Sequence, residues 1–321
     1  MDLLELIKSA FLGLVEGVTE WLPISSTGHL ILVDEFVKLD VTPQFWNMFE
    51  VVIQLGAILA VCVLFFHDLN PFSARKGARG RRQTWVLWGK IIVGCIPAAV
   101  IGLAVNDFME EHLNNSYVVA AALIVYGIAF IIIENRRAAR DLGPGCEAVP
   151  GRSIREGGTH FASSAEATSI CGSDSETGDF GEIATLQDIT WKTALGIGLF
   201  QVLAIVPGTS RSGSTIIGGL LLGCTRSVAA RFTFFLAVPV MFGASLLKLV
   251  KYFIKGGSFG ASETAIMAVG CIVAFLVSLA AIRWLMDFVR CHDFKGFGVY
   301  RIVLGIIVLA YFVGVRPALG L

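Results

Sequence analysis

The sequence predicts an all-α polytopic membrane protein made of inverted repeats, each with a re-entrant helix hairpin plus three transmembrane helices. The composition is apolar: 55% of the 321 residues are hydrophobic and only 16% are charged, whereas soluble domains carry roughly 25% charged residues. Mean hydropathy is +0.75. Several apolar runs reach the ~20 residues that a helix needs to cross a bilayer. The composition therefore excludes a soluble globular domain, and membrane lipids are expected neighbours.

Two membrane repeats are predicted on either side of a polar segment. The first repeat covers residues 1–135 and begins with a hairpin at 1–38. The second covers 190–321 and begins with a hairpin at 190–224. The segment between them, 136–189, is rich in Gly, Ser and acidic residues without apolar periodicity, which predicts a flexible cytoplasmic loop. The transmembrane helices are predicted at 47–67, 84–106, 117–134, 231–254, 264–288 and 298–316.

An internal similarity supports the repeat. "EWLPISSTGHLILV" (20–33) and "AIVPGTSRSGSTII" (204–217) align with Pro23 on Pro207 and Ser26 on Ser210. Each reads as an apolar helix broken at proline, followed by hydroxyl residues and a short apolar helix. Chance similarity is the alternative, since apolar stretches align easily.

The orientation follows from the basic loops. Five Lys and Arg residues lie in the loop 68–83, which places it in the cytoplasm. Three spans separate the two broken helices, and an odd number inverts the second repeat relative to the first. The two hairpins are then expected to enter the membrane from opposite faces.

Two acidic residues stand inside the first apolar helix. Glu16 and Glu20 are four residues apart and therefore share one helix face. A carboxylate at mid-bilayer costs about 2.5–3.5 kcal/mol on insertion scales, and two carboxylates repel each other. A divalent metal or an arginine would compensate. The alternative is a pair of glutamates at a wet edge without a function.

Hydroxyl residues and a histidine follow the first proline. Ser25, Ser26 and Thr27 are expected in the first turn of a new helix, whose free N–H groups suit an anion. Ser26 and His29 are three residues apart and can meet on one face, as a nucleophile–base or acid–base pair. The alternative is an ordinary helix cap beside an interfacial histidine.

The second broken helix adds a cation. "PGTSRSGST" (207–215) contains Arg211, whose planar fork of donors suits phosphate oxygens. The alternative is that Arg211 only pairs with Glu16 or Glu20 for structural reasons. Facing a loop with carboxylates, Ser and His, this segment predicts a site for phosphate and metal.

These motifs resemble the bacterial undecaprenyl-pyrophosphate phosphatases, the bacitracin-resistance protein family. The resemblance rests on ExxxE at 16–20, "PISSTGH", "PGTSRSGST", and the stretches at 49–61 and 235–247. It implies hydrolysis of a polyprenyl pyrophosphate with a divalent cation, Mg²⁺ or Ca²⁺, by a homodimer in the bacterial cytoplasmic membrane, with the active site opening to the outer face. The segment 136–189 is longer than this family leads one to expect.

The resemblance also implies residue roles. Glu16 and Glu20 would serve the metal or the water, and Ser26 and His29 the attack, with Arg211 at the phosphates. Substrate contacts would come from further polar residues: Ser25, Thr27, Gln54, Ser210, Ser212 and Thr215.

A flippase or transporter of a lipid phosphate or small anion is the alternative function, because inverted re-entrant repeats are also a transporter architecture. Carboxylates beside Ser, His and Arg favour hydrolysis, since a carrier needs binding groups but no nucleophile. No nucleic acid is expected as a partner.

Overall fold

The computed structural model describes residues 3–73, 75–113, 115–141 and 183–316, and these ranges form α-helices without a β-strand. Besides the α-helices there is a 3₁₀ turn at Leu203–Ile205 and a π-helical turn near the end of the described chain, at Tyr311–Val315. The helices of the first half are α1 (Leu3–Thr19), α2 (Ser26–Asp34), α3 (Pro43–Leu64), α4 (Phe66–Leu69), α5 (Ala78–Leu113) and α6 (Ser116–Asp141). Those of the second half are α7 (Trp191–Val202), α8 (Arg211–Leu221), α9 (Arg226–Ile254), α10 (Ala261–Cys291) and α11 (Lys295–Ala310).

Six of these helices are long and apolar enough to cross a membrane, which confirms the all-α polytopic prediction. The candidate spans are Pro43–Leu64, Ala78–Val105, Ser116–Ala139, Arg226–Ile254, Ala261–Cys291 and Lys295–Gly314. By contrast, α1 has 17 residues and α7 has 12. At 1.5 Å per residue they fall short of the ~30 Å hydrocarbon core. The two broken helices are therefore distinct from the spans on length alone.

Threonine side chains start several of these helices. Thr42, Thr190 and Thr225 each accept a hydrogen bond from a backbone N–H in the first turn of α3, α7 and α9. Such caps satisfy N–H groups that have no partner within the helix. Pro43 at the first position of α3 adds a backbone angle already suited to a helix.

Glycine contacts bring the helices of the two halves together. A Cβ at Gly13 of α1 would lie 2.5 Å from the carbonyl oxygen of Gly270 in α10. In the same way, Gly198 of α7 lies against the backbone of Gly94 in α5. Gly13 and Gly198 are 185 residues apart, so corresponding positions of α1 and α7 pack closely on a helix of the opposite half.

The predicted loop at 136–189 is shorter at both ends in the structure. Helix α6 continues to Asp141, and Ile183 exchanges backbone hydrogen bonds with Gly223 (2.8 Å) and Thr225 (3.1 Å). Ile189 is buried in the core. The prediction was therefore wrong for 136–141 and 183–189, because the helix and the packed turn include polar residues. Residues 142–182 lie outside the described residues.

Candidate active site

Two loops carry the polar residues of the site, one between α1 and α2 and one between α7 and α8. Each ends at a serine with a left-handed backbone, Ser25 (φ 73°) and Ser210 (φ 67°), and these are the non-glycine residues with positive φ in the described chain. The Ser25 hydroxyl accepts from the N–H of Gly28 (3.3 Å), and the Ser210 hydroxyl from that of Gly213 (3.2 Å). Since such angles are unfavourable for residues with a Cβ and concentrate at functional sites, the two loops share a special conformation.

This geometry corrects the predicted alignment of the repeats. Ser210 corresponds to Ser25 and not to Ser26, because both cap their helix at the same backbone angle. The second loop has one more residue between its proline and this serine than the first. Arg211 consequently takes the place in its repeat that Ser26 takes in the first.

Glu20 lies at the centre of the site and joins the two loops. The Ser26 hydroxyl donates to Oε2 of Glu20 over 2.6 Å, and Nη2 of Arg211 donates to Oε1 over 2.8 Å. The Ser212 hydroxyl lies 3.2 Å from the carbonyl oxygens of both Glu20 and Leu22. Glu20 and Ser26 are each 8% exposed. A carboxylate thus holds a serine hydroxyl and a guanidinium in a nearly closed space.

Glu16 lies one helical turn before Glu20 and is fully buried. Both of its carboxylate oxygens lack a hydrogen-bond partner in the described chain, as do Nε and Nη1 of Arg211. The charges acting on Glu16 are those of Glu20, Arg211 and Glu50. Buried polar atoms without partners are rare in folded proteins. Acceptors on Glu16 and donors on Arg211 are therefore left for a polar ligand.

The oxygen atoms of Glu16 and Glu20 fit a hard cation whose remaining ligands come from a substrate phosphate and water. Among the described residues, no three His, Cys, Asp or Glu side chains converge as a metal site. Mg²⁺ is commonly held by one or two carboxylates, with water and substrate phosphate oxygens completing its shell. The two free oxygens of Glu16 beside Glu20 match this pattern. The described side chains do not match a metal site made of protein ligands alone.

Arg301 is a residue that the sequence analysis missed. It comes from α11, is fully buried, and donates from Nη1 to the carbonyl oxygen of Pro23 (3.1 Å). Its Nη2 donates to the carbonyl oxygens of Gly208 (3.1 Å) and Thr209 (2.8 Å). Arg301 thereby binds both loops at once. An ionisable residue within the predicted transmembrane span 298–316 was the available signal.

Gln201 was also missed. It is 2% exposed, and neither amide atom has a hydrogen-bond partner within the described residues. Gln201 is 185 residues from Glu16, the same offset that relates Ser210 to Ser25. An alignment with this offset pairs Gln201 with Glu16 and would have identified Gln201 as a candidate site residue.

The predicted pairing of Ser26 with His29 was wrong. Nδ1 of His29 lies 2.7 Å from the carbonyl oxygen of Ser25, an acceptor, so this nitrogen carries the proton. Nε2 then accepts from the hydroxyl of Tyr300 at 2.7 Å. Both ring nitrogens of His29 are engaged, and the residue that contacts Ser26 is Glu20.

The remaining predicted residues divide into two groups. Ser210 and Ser212 belong to the loop contacts, and their hydroxyls lie 3.1 Å apart. The Thr215 hydroxyl donates back to the carbonyl oxygen of Arg211 (2.9 Å) and supports the helix start. Thr27 is exposed, and half-buried Gln54 makes no hydrogen bond to this cluster in the described chain. The structure therefore brings together Glu16, Glu20, Ser25, Ser26, Ser210, Arg211, Ser212 and Thr215 around the two loops.

Fold and site together define an all-α integral membrane protein in which two broken helices bring carboxylate, serine and arginine side chains into one buried, phosphate-compatible centre. The chain belongs to the bacitracin resistance protein BacA family, whose family model matches residues 9–307.

Curated relatives match over almost the whole chain. A protein of Lactiplantibacillus plantarum is 49% identical over 97% of this chain and 98% of its own length. One from Enterococcus faecalis is 49% identical (95% and 96%), and one from Streptococcus thermophilus is 51% identical (96% and 94%). All three are named undecaprenyl-diphosphatase.

Proposed function

We propose that this protein hydrolyses undecaprenyl pyrophosphate to undecaprenyl phosphate and inorganic phosphate. The reaction recycles the lipid carrier of cell-wall synthesis and gives resistance to bacitracin. The names of the relatives support the activity. The observation that carries it in this chain is the contact of Ser26 and Arg211 with one carboxylate, Glu20.

The contacts of Ser26 support a nucleophilic role. Its hydroxyl proton already points to Glu20, so the carboxylate can accept that proton while Oγ attacks the terminal phosphorus. The bond from this phosphorus to the bridging oxygen breaks, and undecaprenyl phosphate leaves. Water then attacks the phosphoserine, which releases inorganic phosphate and returns a proton to Ser26. Direct attack by water, with Glu20 as base, is the alternative.

Arg211 is placed to bind the phosphate oxygens. One of its donors is held by Glu20, while Nε and Nη1 remain free. A guanidinium can donate two parallel hydrogen bonds to one phosphoryl group and stabilise the charge that develops on it. The bond to Glu20 fixes the guanidinium before substrate arrives, so it needs no reorganisation during transfer.

A divalent cation, Mg²⁺ or Ca²⁺, is part of the proposal. When bound, it would neutralise phosphate charge and polarise the phosphoryl group. Glu16 would hold it through its free oxygens, together with Glu20. With both carboxylates ionised, Glu16 and Glu20 face a single guanidinium, and a cation would supply the missing positive charge where a pyrophosphate must bind.

The membrane setting is proposed as follows. The excess of Lys and Arg in 68–83 supports a cytoplasmic location for that loop, and the corresponding contacts of α1 and α7 support inverted repeats. The protein would lie in the cytoplasmic membrane as a homodimer, with its site open to the outer face, as in the family that the motifs resemble.

Phosphate release by the purified protein tests this function. Wild-type protein in detergent, given a prenyl pyrophosphate and Mg²⁺, should release inorganic phosphate, and Glu20→Gln should release it at least about 10²-fold more slowly. A flippase or transporter would instead move a lipid phosphate across liposomes without releasing phosphate. That result in the same preparation would overturn the proposal.

A further inference from the structure

A second polar cavity lies apart from the two loops, where the basic segment 68–83 meets α5. It has a volume of about 510 Å³, within the range of small-molecule sites. Its charged lining is mostly basic: His67, Asp68, Lys76, Arg79, Arg82 and Lys90. Helix α5 begins at Ala78, so its positive end lies at this cavity as well. The surroundings favour an anion.

The carboxylate in this lining is already compensated. Arg231 of α9 donates from Nη2 to Oδ2 of Asp68 over 2.7 Å, and its guanidinium lies over the ring of Phe65 at 5.5 Å. Asp68 therefore does not neutralise the lysines and arginines across the cavity. Their net charge is left for a ligand.

Lys90 gives the cavity a buried cationic wall. It is 7% exposed, and its Nζ makes a 2.9 Å hydrogen bond to the carbonyl oxygen of Gln187. An ammonium group has three donors, and this is the hydrogen bond it makes in the described part of the chain. Lys76, in contrast, is used structurally, since its Nζ donates to the backbone carbonyl oxygens of Asp68 and Asn70 and to the hydroxyl of Thr84. The Asp188 carboxylate acts on the charge of Lys90, so Arg79 and Arg82 are the main cations available to a ligand, with Lys90 beside them.

Apolar surface continues directly from this basic cavity. Val86 and Leu87 line it, and Trp85 next to them is 55% exposed. Trp85 packs edge-on against Phe72, which is 78% exposed, with ring centres 5.7 Å apart. Tryptophan is one of the residues enriched where membrane meets water. A ligand that fits both parts has an anionic head and an apolar tail.

We propose that this cavity binds the phosphate headgroup of an anionic phospholipid from the leaflet that the basic loop faces. Arginine pairs suit phosphate oxygens, and basic pockets beside transmembrane helices on the cytoplasmic side are suited to anionic lipids. The site is separate from Glu20 and Arg211 and does not depend on the proposed hydrolysis.

Native mass spectrometry of the detergent-purified protein tests this. With phosphatidylglycerol, one retained lipid per chain is expected, and with phosphatidylcholine of the same acyl chains, none. The double variant Arg79→Gln/Arg82→Gln should weaken phosphatidylglycerol binding roughly thirtyfold, because each basic residue near an anionic surface contributes about fivefold. Lys90→Met should weaken it as well.

The matched control removes equal charge outside the cavity. Arg75→Gln/Arg81→Gln lies in the same basic segment, 68–83, and neither arginine lines the cavity. It should keep the single retained lipid. If both double variants lost the same amount of phosphatidylglycerol binding, the binding would come from general attraction to a basic surface. That result would overturn the proposed site. Binding of inorganic phosphate that depends on Arg79 and Arg82, without retention of phosphatidylglycerol, would overturn the lipid assignment. An unfolding temperature in detergent equal to that of the wild type reports that each variant is folded.

Discussion

The Ser26 hydroxyl donates a 2.6 Å hydrogen bond to the Glu20 carboxylate, although the two residues lie six positions apart, on either side of a break between two helices. The same carboxylate receives Arg211 from a position 191 residues away. The proton of the serine and the charge of the arginine therefore depend on one side chain.

We expect Glu20→Gln to lower kcat by about 10²-fold or more, the scale for loss of a preorganised polar group. Ser26 and Arg211 donate to different oxygens of Glu20, and glutamine replaces one of these oxygens with an NH₂ group that cannot accept a hydrogen bond. Phosphate release at saturating substrate measures this. Retention of more than a tenth of the wild-type rate would remove Glu20 from the centre of the mechanism.

Ser26→Ala separates the two modes of attack. If serine is the nucleophile, the variant should lose about 10³-fold or more in kcat, because the covalent route is gone. Wild-type protein quenched during turnover of substrate labelled at the terminal phosphate should then carry label on Ser26. Substantial turnover in Ser26→Ala, with no labelled wild-type protein, would favour water.

His29→Gln should impair the enzyme less than Glu20→Gln. His29 contacts the Ser25 carbonyl and Tyr300 rather than Ser26, so its replacement leaves the Ser26–Glu20 pair in place. We expect a loss of about tenfold, below the 10²–10⁴ typical of a general base. Tyr300→Phe is the control that removes one His29 contact. Equal losses in His29→Gln and Glu20→Gln would restore histidine as a candidate base.

Chelator should abolish activity, and Mg²⁺ or Ca²⁺ should restore it, because Glu16 presents two unpaired oxygens to a hard cation. Glu16→Gln should raise the cation concentration for half-maximal activity by about tenfold. Gln201→Leu is the matched control at the corresponding place in the second half. If Glu16→Gln needed the same cation concentration as the wild type, Glu16 would not be a ligand of the metal.

Arg301→Met should lower the free energy of unfolding by about 3 kcal/mol or more, since it leaves three buried carbonyl groups without their donor. Thermal unfolding in detergent measures this. Arg231→Met breaks a partly exposed pair with Asp68 and should change stability by about 1 kcal/mol or less. Similar unfolding temperatures for the two variants would contradict the role of Arg301.

Apolar length and proline positions were enough to predict the six spans and the two broken helices, because both features act locally. The equivalence of Ser25 and Ser210 could not be read this way, since backbone angles decide it rather than the distance from a proline. Helical spacing placed Ser26 and His29 on one face, but Nδ1 of His29 donates its hydrogen bond to the Ser25 carbonyl oxygen instead. The role of Arg301 was not predicted because its partners are backbone carbonyl groups of distant loops. Such partners produce no recognisable motif in the sequence.

The position of Arg301 late in the chain has a consequence for synthesis. Its acceptors at Pro23 and Gly208 lie 278 and 93 residues earlier. A chain still growing on the ribosome holds both loops before it holds the guanidinium that joins them. The catalytic centre is therefore completed only when α11 emerges, so a protein cut short before its last membrane helix would be inserted but inert.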